Sequence, residues 1–418
     1  MPKKNSKHKW EFKKFFRAGA YSWKGTALAS KRIKSAVKEI KNVAKKDSVT
    51  AAEGAVAFIE KCWRAIEHID SSSGAIGIAV SNALSELAEI IAHAELSPKE
   101  HLELTKRIWE SWEDEELGYY DVLGKMWSEF CAIDEILNYW ADEFLPVVKM
   151  VFQSTVPGSY FKGVEPCLAC LYEVGRHDEI IDLLKDREKL FFDYRQYEIK
   201  VIAARGEIDR ALEIVDEYLY HPYTSPYLVA RLGEELLIKS GRIEEAYRRY
   251  AFRIPFQTTG LATFNAIRKK YTKISPQRIL SDLIDADPCN ERRYFAAARK
   301  IGMIELAVEI AEKYDVEPKT LTTACKDYIE KDPDLSLRFG LLALIRYAEG
   351  RGYEPEYADV QKCYDFVLKA AENAGKKEKV AEQIKAIVDN DKSVRQLVAL
   401  VVNSRQEYGN NILLFRRR

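Results

Sequence analysis

Four stretches in the second half of this chain follow one plan, and that plan constrains the fold more than any other feature. CLACLYEVGRHDEIIDLL, IKVIAARGEIDRALEIV, GEELLIKSGRIEEAYRRYA and FAAARKIGMIELAVEIA each read as an apolar stretch at helical spacing, a glycine, a small polar link and a second apolar stretch. The glycines are Gly175, Gly206, Gly241 and Gly302, spaced 31, 35 and 61 residues apart. The last spacing is close to two periods, so a degenerate unit is expected inside it, and NAIRKKYTKISPQRILSDLI supplies one. A period of roughly 34 residues is that of stacked helical hairpins, in which one pair cannot bury its apolar face and neighbours complete the core. Glycine suits the turn because the residue closing a helix often takes a left-handed conformation that only glycine enters without strain.

Strand-like alternation is nearly absent elsewhere, whereas apolar residues recur at helical spacing, as in Ile33, Val37, Ile40 and Ala44, then Val56, Ile59, Trp63 and Ile66. No proline lies between Pro2 and Pro98, which allows two or three long helices there; the prolines of SPKEHLEL, EPKTLTTA and DPDLSLRF sit where helices should begin. With 47% hydrophobic residues the chain can bury enough apolar surface to exclude general disorder. All seven tryptophans fall in the first 140 residues, and STVPGSYFKGVEP has linker composition, so a junction is expected near residue 155. The fold class expected is all-α: a leader over 1–46, an N-terminal helical bundle over 47–155 and hairpin repeats over 156–418.

No run reaches about 18 uninterrupted apolar residues and the start lacks a secretory apolar core, so no transmembrane segment and a cytoplasmic location are expected. The seven cysteines are odd in number and lie mostly in apolar helical patterns, which predicts reduced, buried thiols. Cys167 and Cys170 form a lone C-x-x-C with His177 nearby; zinc needs a second pair, so core thiols are the expectation. No metal, cofactor or catalytic residue is expected.

The net charge of zero hides a strong polarity. Residues 1–46 carry 15 Lys and Arg against only Glu11 and Glu39, leaving the remainder equally acidic in excess. Such a leader can bind nucleic acid or an anionic membrane, or fold back on an acidic body.

VTAAEGAVAFIEKCWRAIEHIDSSSGAIGIAV, LATFNAIRKKYTKISPQRILSDLI, RRYFAAARKIGMIELAVEIAEKYDVEPKTLTTACKDY and FGLLALIRYAEGRGYEPEYADV resemble a family of bacterial helical proteins of unknown function. Residues 163–315 are also similar, more loosely, to tetratricopeptide repeat proteins. The first resemblance implies a bacterial source and a shared helical fold, and no activity; the second implies that the hairpins form a tetratricopeptide-like α-solenoid.

Three places could contact anions. In HKWEFKKFFRAGAYSWKG, Lys9, Lys13, Lys14, Arg17 and Lys24 interleave with Trp10, Phe12, Phe15, Phe16, Tyr21 and Trp23, and Lys31, Lys34, Lys38 and Lys41 follow on one face of an amphipathic helix. Aromatic faces beside cations suit single-stranded nucleic acid; alternatively the rings dock on the body and the lysines are a solvated face. Ser71, Ser72, Ser73 and Gly74 precede a helix that could hold a phosphate, though capping is the simpler reading because the strand and lysine of a phosphate loop are missing. Arg248, Arg249, Arg253, Arg268, Lys269, Lys270, Arg292 and Arg293 accumulate over three repeat units and would make a basic groove if their helices share a face, or else pair with nearby carboxylates. Glu86, Glu89 and His93 share a helical face read as solvated, and Glu113 to Glu116 form an acidic rim that could receive the leader.

Together these features point to a non-enzymatic interaction scaffold that binds a protein partner through its repeats, the leader giving a second attachment. The alternative is a nucleic-acid-binding accessory protein, such as one serving bacterial defence or repair.

Overall fold

The computed structural model describes residues 8–154, 159–185, 190–222, 224–253, 256–393 and 396–404. Among them the chain forms α-helices and two short 3-10 segments, with no strand. Its packing divides it into two compact units, residues 1–240 and 241–418.

The first unit opens with a 3-10 turn at Glu11–Lys14 and then α1 (Thr26–Ala44), α2 (Ser48–Ile66), α3 (Ala75–Ala92), α4 (Pro98–Glu113), α5 (Leu123–Cys131) and α6 (Asp134–Gln153). Local chemistry sets the starts: the Asp47 carboxylate accepts from the Thr50 N–H, and Ser97 and Glu100 form a reciprocal capping box with Pro98 in the first turn. Pro146 is tolerated inside α6. α3 is long and apolar enough to cross a membrane by length and composition; 44% of it is buried, and it packs on α1, α2 and α5. The tryptophans of the bundle cluster edge to face, Trp109 with Trp127 at 5.5 Å between centroids and Trp127 with Trp140 at 5.1 Å. Each such pair contributes roughly 0.5–1.5 kcal/mol beyond area burial.

The core does not stop near residue 155, which itself lies outside the described residues. α7 (Val164–Glu173) packs on α5 and α6, and one hydrophobic cluster runs from Trp10 to Val201. The compact unit therefore ends at Ser240. The leader is likewise no separate segment: Trp10, Phe12, Phe16 and Tyr21 are buried, with Phe12 and Phe16 edge-on to Phe58 of α2 at 5.7 and 5.0 Å. Burial of four aromatics gains more than leaving them solvated beside the lysines.

α8 (His177–Leu184), α9 (Phe192–Ala204), α10 (Ile208–Leu219) and α11 (Pro226–Lys239) complete this unit. The second unit holds α12 (Ile243–Tyr250), α13 (Gly260–Lys270), α14 (Pro276–Ala286), α15 (Phe295–Lys300), α16 (Ile304–Lys313), α17 (Pro318–Tyr328), α18 (Pro333–Ala348), α19 (Tyr357–Asn373) and α20 (Lys377–Asp389). Within each unit consecutive helices pair at α9 with α10, α10 with α11, α13 with α14, α15 with α16, α17 with α18 and α18 with α19, and helices two apart also meet: α7 with α9, α13 with α15, α16 with α18, α17 with α19.

The turn chemistry behind the pairs is uniform. Gly175, Gly206 and Gly302 have φ of 75°, 86° and 81°. In each, the glycine N–H reaches back three residues and the next N–H reaches back five, as in Gly175 to Tyr172 and Arg176 to Leu171. Gly375 closes α19 in the same way, two hairpins beyond the repeats legible in the sequence. The degenerate unit is α13 and α14; there Ser275, not a glycine, caps the second helix by accepting from the Arg278 N–H. Gly340 lets α18 press against both neighbours: a Cβ there would lie 2.5 Å from Val367 and 2.7 Å from the Cys325 sulfur.

Candidate binding groove

The leader's cations are exposed as expected, at Lys9, Lys13, Lys14, Arg17 and Lys24. Its stacking faces are not: Trp23, at 64% exposure, is the leader aromatic open to solvent, while Phe15 is half-buried under the guanidinium of Arg32, 4.3 Å from the ring centre. Lys31, Lys34, Lys38 and Lys41 line the outer face of α1, where Lys41 pairs with Glu86 at 2.5 Å. The acidic rim takes no leader lysine among the described residues. Asp114 pairs with Arg64, and Glu115 is buried, its carboxylate accepting from the Leu117 and Tyr120 N–H groups.

Ser71, Ser72 and Ser73 are exposed, and none is the N-cap of α3. That position belongs to Gly74, with φ of 69° and no side-chain cap; the Asp70 carboxylate folds the loop instead by accepting from the Ser72 N–H. Cys167 and Cys170 are fully buried. His93 Nδ1 lies 2.8 Å from the Glu89 carbonyl, and no group of three or more His, Cys, Asp and Glu able to hold a metal occurs among the described residues.

The basic residues of the repeats do not converge as one set. Arg248 and Arg249 end α12, where Arg249 pairs with Glu245, and Arg268, Lys269 and Lys270 end α13. Of the sequence-derived group, Arg292 and Arg293 line one groove, and the rest of that groove is built from residues sequence reasoning missed.

Two adjoining clefts of about 560 and 690 Å³ share Leu261, Ala296 and Thr320 and so form one groove across α13, α15 and α17. At one end lie Thr258, Thr259, Arg292, Arg293, Asp315 and Glu317; at the other Arg299, Lys300, Lys319, Asp327, Tyr328 and Lys331. The close approach of the elements at the first end depends on Gly260, where a Cβ would lie 2.3 Å from the Arg293 carbonyl.

Several walls are fixed. Arg293 donates to the Gln257 carbonyl and to Asp287, a buried carboxylate that also accepts from the Tyr294 hydroxyl. Arg299 pairs with Asp327 at 2.6 Å and lies over the Phe295 and Tyr328 rings. Asp315 is held by Arg346, which is buried and donates also to the Ala311 and Tyr314 carbonyls. Glu317 accepts from the Tyr353 N–H. The three carboxylates of the groove are thus all engaged, against six cations lining it, and Arg292, Lys300 and Lys331 are exposed. A faint signal was present in the sequence: Arg299, Lys300 and Lys331 fall at the ends of successive first helices of the hairpins.

A second cluster lies in the first unit, where α5, α7 and α9 meet. Burial, then the neighbouring Asp193 carboxylate, pushes the Glu165 carboxyl up to about 7, and one of its oxygens is buried without a hydrogen-bond partner. Lys125 pairs with Asp193 at 2.9 Å. Burial draws the Lys200 ammonium below its ordinary range, and that group sits 4.8 Å from the centre of the Tyr197 ring.

Comparison of the chain with protein-family models, with curated proteins and with solved structures finds no match in any of the three.

Proposed function

We propose that this chain is a non-enzymatic interaction scaffold whose hairpins stack in the manner of a tetratricopeptide-like α-solenoid and hold a protein partner. The observation that carries the reading is the groove across α13, α15 and α17, which is open, lined by helix faces and rich in fixed side chains. Pre-formed walls favour recognition because little side-chain entropy is lost on binding. The test is lysine footprinting of the full chain with and without a partner that co-purifies at moderate salt. Slower acetylation of Lys300, Lys319 and Lys331 supports the groove; protection confined to the leader rejects it.

A second reading, a nucleic-acid-binding accessory protein, rests on the exposed cationic face of α1, Lys31, Lys34 and Lys38. Backbone phosphates are its natural target, since most of the leader rings are buried and cannot stack on bases. Reversing those three lysines should reduce the salt slope of DNA binding by about 0.9 for each phosphate no longer neutralised. Removing residues 1–46 is no clean test, because it strips Trp10, Phe12, Phe16 and α1 from the core.

A further inference from the structure

The groove's charge identifies the chemistry of what it holds. Its cations outnumber its carboxylates by six to three; Arg293, Arg299 and Lys319 pair with Asp287, Asp327 and Asp359, and the exposed cations are Arg292, Lys300 and Lys331. The surplus is concentrated at one end, where Lys300 and Lys331 are exposed beside the Arg299–Asp327 pair. The middle, shared by the two clefts, is lined by the uncharged side chains of Leu261, Ala296 and Thr320. Helices packed side by side lie about 9 Å apart, so crossing three of them takes about 18 Å, which an extended strand covers in roughly six residues.

We propose that the groove binds an extended acidic peptide segment of the partner, its main chain passing over Ala296 and Thr320 and its carboxylates meeting Lys300 and Lys331. This rests on the scaffold reading and adds the partner's chemistry to it. A peptide suits the groove better than a nucleic acid because the charge is uneven. At the far end Arg292 and Arg293 are balanced by Asp315 and Glu317, so a polymer carrying a phosphate at every step meets no positive surplus there, whereas a peptide can place a neutral or basic side chain there. Two further features fit a main chain: the Thr320 and Thr323 hydroxyls, the latter donating to the Lys319 carbonyl and so offered to a ligand as an acceptor, and the Tyr328 ring under Arg299.

The experiment is fluorescence anisotropy with the full chain, using a fluorescein-labelled peptide of alternating Glu and Ala about eight residues long at about 50 mM salt, where screening is weak. Controls are a Lys and Ala peptide of the same length and a thymidine oligonucleotide. The expected result is saturable binding of the acidic peptide alone, weakened about tenfold or more in Lys300→Glu/Lys331→Glu. The pair Lys379→Glu/Lys385→Glu, which changes net charge equally at two exposed positions of α20, should leave binding unaltered. Lys300→Ala/Lys331→Ala repeats the test with a milder change, and thermal unfolding checks that each variant is folded.

Absence of binding, equal loss in the α20 pair, or tighter binding of the oligonucleotide overturns the proposal. If the acidic peptide fails while footprinting still protects the groove lysines, only the assigned chemistry falls. If the groove lysines are also unprotected, the scaffold reading falls with it.

Discussion

Trp10 occupies the space that a side chain at Gly54 would need: a Cβ at position 54 would lie 2.1 Å from Cζ2 of the indole. The leader and α2 are therefore shaped to each other, with Trp10 only 7% exposed. Gly54→Ala should lower stability by roughly 1–3 kcal/mol through overpacking, and Trp10→Ala by about 3–5 kcal/mol through removal of the ring. Because the two residues share one space, the double variant should cost clearly less than the sum. Urea unfolding measures all three; strict additivity would show that the ring does not seat on the glycine.

Glu165 should make stability fall with rising pH. Its carboxyl titrates at about 7 in the folded chain, against about 4.3 when unfolded. Between those values the native state holds a proton that the unfolded state has released, so raising the pH favours unfolding, with the full cost reached above the folded value. Allowing for partial solvent access, the difference between pH 5 and pH 8 should be about 1–2 kcal/mol. Glu165→Gln should flatten that part of the profile; an unchanged slope would place the carboxyl's titration elsewhere.

Arg346 ties α18 to the end of α16 by donating to Asp315, at 2.9 Å, and to the Ala311 and Tyr314 carbonyls. Arg346→Met should cost about 1–3 kcal/mol, since it removes the bond to the buried Ala311 carbonyl while Asp315, half exposed, keeps Arg351. Arg346→Lys should recover only part, because one ammonium cannot reproduce the planar fork. Equal stability of the two variants in denaturant unfolding would mean that the hydrogen bonds contribute little.

Thiol reactivity should separate one cysteine from the rest. Cys289 is exposed, whereas Cys62, Cys131, Cys167, Cys170, Cys325 and Cys363 are buried. A disulfide reagent at neutral pH should modify a single thiol quickly in the native chain and the remainder only on unfolding. Cys289→Ser should abolish the fast phase. Rapid labelling of further thiols would indicate that a buried helix opens readily.

The hairpins were readable because their causes are local. A positive-φ glycine, a polar link and apolar residues at helical spacing act over about a turn on either side, so Gly175, Gly206 and Gly302 mark their turns directly. The unit at 260–286 was legible by period even though Ser275 replaces the glycine signal. The serines before α3 are cap-forming residues by type, yet backbone geometry gives the N-cap position to Gly74, with the Ser73 hydroxyl accepting from the Ala75 N–H at 3.4 Å.

What the sequence determined by itself is the helical class, the hairpin punctuation and the concentration of cations in the leader, all properties of short stretches of chain. Tertiary structure alone decided which way the leader aromatics face, because their burial depends on the space left at Gly54 some forty residues away. It also decided where a groove forms. Lys300 and Lys331 acquire a common purpose only when α15 and α17 line one cleft, and no local rule records which helix faces will meet.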